Sequence, residues 1–284
     1  MSVKVKAYGK LNLNLNVTGA YGDSYHSLSS VVTTVSVFDT VTLSRRQDNE
    51  INLSLLGSAF GGKTAQDVAK AIVSNFSVTG ADISVVKGVP LCGGMGGSSA
   101  AAAGVIAGMA ALYNLPIDKK MLEIAARQGS DIAYLTAGGL ALLQGKGDDV
   151  TYYDFTKTLH FTLIEGEPML TKDVFAAFDK MPDHTFFDGE KLVRSLFEGN
   201  IKSAQKYLGN NLQSAAVRLN GKLKEIINAC GKLCLPAPVM TGSGGNFFIL
   251  CQSQEDAEYN AQKLKDEGFN SYALKSTPRA IEIN

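Results

Sequence analysis

The chain has 284 residues, 45% of them hydrophobic, which is enough for one large domain or two medium ones, and we expect two. Its 27 basic and 27 acidic residues balance and 19% of residues are charged, so the composition does not indicate a nucleic-acid partner.

Four cysteines without C-x-x-C spacing and three histidines argue against a zinc site, and we expect reduced thiols in a cytoplasmic protein. No signal peptide and no membrane span are expected, because the most apolar run, at 99–112, is shorter than the roughly 20 residues that cross a bilayer.

The N-terminal part opens with predicted strands. Apolar and polar residues alternate over 3–17, which is the period of a strand with one buried face. Gly9 and Lys10 interrupt the alternation and indicate a bulge that redirects a side chain. Residues 21–27 are rich in turn formers, and a second alternating strand is expected over 29–43.

A glycine-rich loop then joins a strand to a helix. Helical spacing predicts a helix over 64–76, and 82–86 is expected to be a short strand. The loop has four glycines in five positions and leads directly into an Ala-rich helix over 100–113, with Ser98 or Ser99 as its expected N-cap. The candidate loop residues are Pro90, Gly93, Gly94, Met95, Gly96, Gly97, Ser98 and Ser99.

This loop predicts a phosphate site. Glycines permit positive φ and let backbone N–H groups approach an anion closely, and the helix that follows adds the partial positive charge of its N-terminus. The pattern is neither G-x-x-x-x-G-K-[ST] nor G-x-G-x-x-G, so the two common nucleotide motifs are excluded. An alternative interpretation stays open, in which the glycines only allow the helix to pack tightly on the sheet.

The second half of the sequence begins a new pattern near residue 155. Before it we expect a short helix at 121–128, ended by Gly129-Ser130-Asp131, and a strand at 138–144. After it we expect several helices between 172 and 230, a helix at 255–267, a turn at 241–245, and strands at 159–164, 238–240, 247–251 and 271–275. The alternation predicts an α+β protein with domains at 1–155 and 156–284.

Three segments resemble, in order, the motifs of the GHMP kinase superfamily. Residues 7–13 are similar to A-P-A-K-x-N-L, residues 90–103 to P-x-x-x-G-L-G-S-S-A-A, and residues 241–245 to the S-G-[ST]-G-A/G turn. The resemblance implies a ribosomal-protein-S5-like N-terminal domain, a ferredoxin-like C-terminal domain and an active site between them. It also implies phosphorylation of a small-molecule alcohol with ATP and Mg²⁺, by a monomer or homodimer.

Two further segments are similar to motifs of one GHMP subfamily. Residues 23–28 resemble D-G-Y-H-x-L and residues 129–134 resemble G-A-D-V-P-F. The subfamily phosphorylates the 2-hydroxyl of 4-diphosphocytidyl-2-C-methyl-D-erythritol in non-mevalonate isoprenoid synthesis. The sequence departs from the subfamily pattern at several positions. Its glycine-rich loop is shorter by one glycine, Ala100 stands where the pattern has Asn, Ala133 stands where it has Pro, and Val32-Thr33 stand where it has Phe-Gln. A kinase for a sugar, homoserine-like or mevalonate-like alcohol, or a catalytically silent nucleotide-binding member, therefore stays open.

The resemblance also implies a role for each motif residue. Asp131 would accept the proton of the substrate hydroxyl, and Lys10 beside it would offset charge on the γ-phosphoryl oxygens. The loop would hold the phosphates, and Ser99 would contact Mg²⁺. The expected substrate-binding residues are Asn12, Tyr25, His26, Phe175, Gly242, Ser243 and Gly244.

Overall fold

The structure is a computed structural model that describes residues 2–20, 26–57 and 62–284. Within these residues the strands are β1 (Ser2–Asn12), β2 (Asn14–Ala20), β3 (His26–Arg45), β4 (Ile51–Leu56), β5 (Ala81–Val86), β6 (Ala141–Gly145), β7 (Asp149–Tyr152), β8 (His160–Ile164), β9 (Gly209–Asn210), β10 (Val239–Met240), β11 (Phe247–Cys251), β12 (Ser271–Thr277) and β13 (Ile281–Ile283). The helices are α1 (Lys63–Phe76), α2 (Gly97–Tyr113), α3 (Lys119–Gln128), α4 (Ser130–Ala137), α5 (Thr171–Phe178), α6 (Gly189–Glu198), α7 (Ile201–Ala204), α8 (Gln213–Leu219), α9 (Lys222–Lys232) and α10 (Gln254–Asp266).

One long strand, β3, pairs with strands from both halves of the chain. β3 spans 20 residues and pairs with β1, β2, β5 and β6 of the first half and with β12 of the second. The main path of the sheet is β10-β11-β8-β12-β3-β1-β13, so the last strand returns to β1. The predicted α+β class is confirmed, and the boundary near residue 155 stays a prediction.

The predicted interruption of the first strand is a β-bulge. Tyr8 pairs with Phe38 and the next residue, Gly9, pairs with Val35, so two extra residues of β3 face the irregularity. After the bulge, the Lys10 N–H donates to the Met95 carbonyl over 3.1 Å. The irregularity therefore joins the strand that carries Lys10 to the glycine-rich loop.

Two hydrophobic clusters lie on the two faces of the sheet. In the first, α1 and α2 pack on β1 and β3, together with one face of β8 and β11. In the second, α5, α8 and α9 cover the other face of β11. Because α2 consists mainly of small apolar residues, it is buried nearly all round and lies directly on the sheet.

Glycine makes this close contact of α2 with the sheet possible. A Cβ added at Gly104 would lie 2.8 Å from Val41 Cγ2 and 3.0 Å from Ala7 Cβ. These neighbours are short, buried side chains that have little room to move. The position of α2, and of the loop at its N-terminus, thus depends on the absence of a side chain here.

We expect Gly104→Ala to lower the free energy of unfolding by about 1–3 kcal/mol, the usual cost of overpacking a core. The matched control is Gly231→Ala in α9, where an added Cβ would meet no atom within 4 Å. There the better helix propensity of alanine should stabilise the protein by up to about 1 kcal/mol. Urea unfolding of both variants tests this, and a loss of stability in both would contradict the packing argument.

Candidate active site

Lys10 is a buried cation held by two neighbouring groups. Its side chain is 5% exposed, its Nζ donates to Asn12 Oδ1, and Nζ lies 3.5 Å from Asp131 Oδ2. A buried ammonium group is unfavourable unless it is paired and hydrogen-bonded, and here it is both. The two residues proposed from the sequence as the catalytic pair, 121 positions apart, are thus neighbours in space.

Asp131 lies in the first turn of α4, where the helix N-terminus favours a negative charge. Its side chain is 29% exposed, so the carboxylate is accessible to a ligand. The helix is anchored by Tyr134, whose hydroxyl donates to the Gly139 carbonyl over 2.6 Å. Burial raises the pKa of this phenol well above its ordinary value, and Tyr152 and Asp131 act in the same direction, so it stays a neutral donor.

The helix that follows the glycine-rich loop, α2, begins two or three residues earlier than the sequence predicts. The expected N-cap at Ser98 or Ser99 is wrong, because α2 begins at Gly97 and its N-cap is Gly96, with φ of 71°. The Gly96 carbonyl accepts from the Ala100 N–H over 2.8 Å. Both serines therefore stand in the first turn, where backbone N–H groups have no partner within the helix.

The remaining loop residues support this turn mostly through their backbone. The Met95 side chain is fully buried, so this residue can face a ligand only with its main chain. An added Cβ at Gly97 would lie 3.2 Å from the Pro90 carbonyl oxygen, and one at Gly96 would lie 3.4 Å from Lys10 Cγ. The loop thus lies close against the lysine.

A turn from the second half of the chain contacts the loop, backbone against backbone. A Cβ at Gly94 would lie 1.9 Å from the Thr241 carbonyl oxygen, and one at Gly242 would lie 2.7 Å from the Gly94 carbonyl oxygen. The buried Thr241 hydroxyl donates to the Gly94 carbonyl over 3.2 Å and accepts from the Asn12 N–H over 3.0 Å. Asn246 adds a bond from its N–H to the Gly93 carbonyl over 3.3 Å.

His26 and Phe175 form a second pair of candidate residues. Their ring centroids are 4.6 Å apart, and His26 Nε2 lies 2.8 Å from Asp179 Oδ1. Phe175 is partly buried against the second cluster and leaves one ring face toward His26. Tyr25, the other predicted aromatic residue, lies outside the described residues.

The last predicted substrate-binding residues are on the turn after β10. Ser243 is hydrogen-bonded through its hydroxyl to Thr171 Oγ1, at the start of α5, over 2.8 Å. Gly244 has φ of 99°, and an added Cβ would lie 2.8 Å from Met240 Sδ. This turn therefore connects the loop contact at Gly242 to the helix that carries Phe175.

Ser99, the residue expected from the sequence to contact Mg²⁺, lies close to the start of α4. A Cβ added at Gly129 would lie 3.8 Å from Ser99 Oγ, so the hydroxyl faces the segment just before Asp131. In the described part of the chain, no group of three or more His, Cys, Asp or Glu residues could hold a metal ion. A serine hydroxyl is an oxygen ligand of the kind that Mg²⁺ accepts together with phosphate oxygens and water.

Sequence reasoning missed a second buried ion pair beside the loop, between Lys87 and Asp39. The signal was present, because Asp39 shares the buried face of β3 with Val41 and Leu43. An acidic residue at a core position requires a partner. Its partner could not be read from spacing, since the two residues are far apart in the sequence.

Comparison with known proteins defines the class of protein. Residues 63–141 match the GHMP kinases N terminal domain, and residues 192–270 match the GHMP kinases C terminal domain. The chain belongs to the GHMP kinase family, and the prediction of an ATP-dependent phosphotransferase with an alcohol acceptor is confirmed. Across the residues that the structure describes, no helix combines the length and apolar character needed to span a membrane.

Within the family, the chain is similar to enzymes named 4-diphosphocytidyl-2-C-methyl-D-erythritol kinase. It is 32% identical to that of Mycolicibacterium paratuberculosis, over 89% of this chain and 83% of the relative. It is 31% identical to that of Thermobifida fusca, over 94% of this chain and 92% of the relative. A crystal structure of 4-(cytidine 5'-diphospho)-2C-methyl-D-erythritol kinase matches with a TM-score of 0.79 at 24% identity, covering 96% of this chain and 98% of that one, and shows the same two-domain fold.

We expect Thr241→Val to lower the free energy of unfolding by about 1–3 kcal/mol and to weaken ATP binding. The substitution keeps the shape but leaves the Asn12 N–H and the Gly94 carbonyl without the shared hydroxyl. Thr241→Ser keeps the hydroxyl and is the matched control. Urea unfolding and calorimetric titration with ATP test this, and equal behaviour of the two variants would show that the hydroxyl is not what joins the segments.

Proposed function

We propose that the chain transfers the γ-phosphoryl group of ATP to the 2-hydroxyl of 4-diphosphocytidyl-2-C-methyl-D-erythritol, the compound that its relatives are named for. The observation that carries the proposal is the 3.5 Å salt bridge between Lys10 Nζ and Asp131 Oδ2, beside the glycine-rich loop. By this proposal the protein works in the cytoplasm, as a monomer or homodimer, in non-mevalonate isoprenoid synthesis.

The nucleotide would bind with its phosphates at the start of α2. Backbone N–H groups of residues 97–99 have no partner within the helix, and the helix N-terminus favours an anion. Gly94 and Gly96 have φ of 78° and 71°, which glycine adopts without strain. This geometry supports a triphosphate at the loop, close to Lys10.

The acceptor hydroxyl would approach Asp131 from the solvent side. The carboxylate takes the hydroxyl proton as the oxygen attacks the γ-phosphorus, and the bond to the β-phosphate oxygen breaks to release ADP. Lys10 would offset the negative charge that gathers on the transferred group. Asn12 accepts from Lys10 and so fixes the direction of the ammonium group.

Magnesium would be held by Ser99 together with phosphate oxygens and water. When bound, it would offset part of the charge on the phosphates. The Ser99 hydroxyl faces the segment that leads to Asp131, which supports a place for the cation between the loop and α4.

The cytosine base would be held by aromatic residues on the acceptor side. The rings of His26 and Phe175 already lie together, and Tyr25 would add a further ring. Asp179, bonded to His26 Nε2, would fix the orientation of the imidazole. Gly242, Ser243 and Gly244 would approach the polar part of the substrate.

The second candidate for the acceptor is a different small alcohol, which the departures from the subfamily pattern at Ala100 and Ala133 leave open. The Lys10–Asp131 salt bridge does not favour a catalytically silent protein, since it retains a base and a cation together. The acceptor therefore has to be tested directly.

The deciding experiment is an acceptor panel with purified protein, ATP and MgCl₂. The panel contains the cytidyl compound, homoserine, mevalonate and galactose, and ADP release is followed together with the phosphorus NMR spectrum of the product. We expect turnover with the cytidyl compound alone. Faster turnover with another alcohol would support the second candidate, and ADP release with none of them would contradict the kinase assignment.

We expect Asp131→Asn and Lys10→Met each to lower kcat by about a hundredfold or more, because general-base and electrostatic contributions have that size. ATP affinity should stay near the wild-type value, since the loop amides are untouched. Asp149→Asn, on the exposed edge strand β7, is the matched control and should keep full activity. Wild-type turnover by Asp131→Asn would remove this residue from the mechanism.

We expect Phe175→Ala to raise the KM for the acceptor by about tenfold or more, the usual effect of losing a base–aromatic stack. The KM for ATP should not change. Phe186→Ala removes an exposed ring of the same kind, 61% exposed, and serves as the control. Initial-rate kinetics with each substrate varied in turn test this, and an equal rise in both KM values would indicate a general structural effect.

A further inference from the structure

The buried pair of Asp39 and Lys87 contacts both ends of the glycine-rich loop. Asp39 on β3 is fully buried, and the Lys87 side chain is 4% exposed. Asp39 Oδ1 accepts from the N–H groups of Gly88 and Val89 over 2.9 and 3.0 Å, where the chain enters the loop. Its Oδ2 accepts from Lys87 Nζ, which also donates to the Gly97 carbonyl over 2.7 Å, where the loop becomes α2.

The backbone at the loop entrance fits closely against β3. A Cβ added at Gly88 would lie 2.2 Å from the Phe38 carbonyl oxygen, so the chain passes β3 at a distance that excludes a side chain. This approach brings two consecutive N–H groups to one carboxylate oxygen. The entrance of the loop is therefore fixed by hydrogen bonds to a strand that is part of the core.

Stability alone does not account for such a pair. Replacing a buried ion pair by apolar residues of similar volume is often neutral or stabilising, so a buried pair is weak evidence for a role in stability. What this pair adds is a set of directed bonds, three to backbone groups at the two ends of one loop. Apolar side chains at positions 39 and 87 would supply none of them.

The bond to Gly97 matters most for ligand binding. Gly97 is the first residue of α2, and its peptide group sets the direction of the helix N-terminus. The loop between the two anchored ends contains three glycines, so without the anchors it would have many conformations to lose when an anion binds. Anchored ends leave the amides already oriented.

We propose that Asp39 and Lys87 are positioning residues for ATP, which hold the two ends of the glycine-rich loop so that its amides are preorganised for the phosphates. The inference rests on the proposed phosphate site of the preceding section. Both side chains are buried, so they would act on the nucleotide through the loop backbone.

The test is a double-mutant cycle on the full-length protein, with Asp39→Asn, Lys87→Met and the double variant. Both substitutions keep the approximate shape of the side chain and remove its charge. We expect each single variant to weaken ATP binding, measured by calorimetry, by about tenfold or more, and to raise the KM for ATP without changing the KM for the acceptor. The double variant should be no weaker than the worse single variant, because the two residues act as one unit.

The matched control is Leu43→Ala, on the same strand and also fully buried, where the side chain packs on α2 at Gly108, away from the loop. It should lose stability but bind ATP like the wild type at temperatures where it is folded. Wild-type ATP affinity in folded Asp39→Asn and Lys87→Met overturns the inference and leaves the proposed function intact. Failure of the wild-type protein to bind ATP overturns the proposed function and the inference with it.

A measurement on the wild-type protein covers the case in which the variants do not fold. In the ATP-free protein, hydrogen exchange followed residue by residue by NMR should show the amides of Gly88 and Val89 protected to the level of β3. Exchange of these two amides at the rate of an exposed loop would overturn the inference.

Discussion

The contact between two glycine-containing turns, one from each half of the chain, is the constraint on which the rest of the site depends. Gly94 and Gly242 approach so closely that neither position has room for a Cβ. Their separation is therefore set by backbone contact and not by side chains that can change rotamer. Thr241 adds a hydroxyl that bonds both the loop and β1, so the strand that carries Lys10 is fixed relative to the loop.

Two Lys–Asp pairs lie near the glycine-rich loop, Lys87–Asp39 and Lys10–Asp131, and they differ in how deeply the carboxylate is buried. Asp39 is fully buried and its carboxylate is occupied by a lysine and two backbone N–H groups, which leaves little capacity for a substrate. Asp131 is partly exposed, at a helix N-terminus, with Lys10 on one side only. The same two residue types thus form a closed structural pair and an open one that can accept a proton. A chain with no net charge can bind a polyanion in this way, because the charges that matter are local.

Elements with a clear hydrophobic pattern were predictable from the sequence, and elements whose ends are fixed by neighbouring segments were not. The strand at 247–251 follows from its apolar run, and helix α1 follows from the helical spacing of its apolar residues. The eight-residue helix α4 was missed because Gly129 was read as a terminator, although it separates two helices. Edge strands β4 and β13 were missed because they are short and partly exposed. The N-cap prediction failed because a left-handed glycine, with its carbonyl as acceptor, began the helix before either serine.

The departures from the subfamily pattern lie mostly behind the site and not in its lining. Ala100, Val32 and Thr33 are 0%, 0% and 2% exposed, so their side chains have no surface to offer a substrate. Substitutions at such positions act through how α2 and β3 pack against their neighbours. Two of the predicted site residues, Asp131 and His26, stand at positions that match the pattern and are accessible to a ligand. Because specificity is decided by contacts and not by the core behind them, the departures weigh less against the cytidyl acceptor than their number suggests.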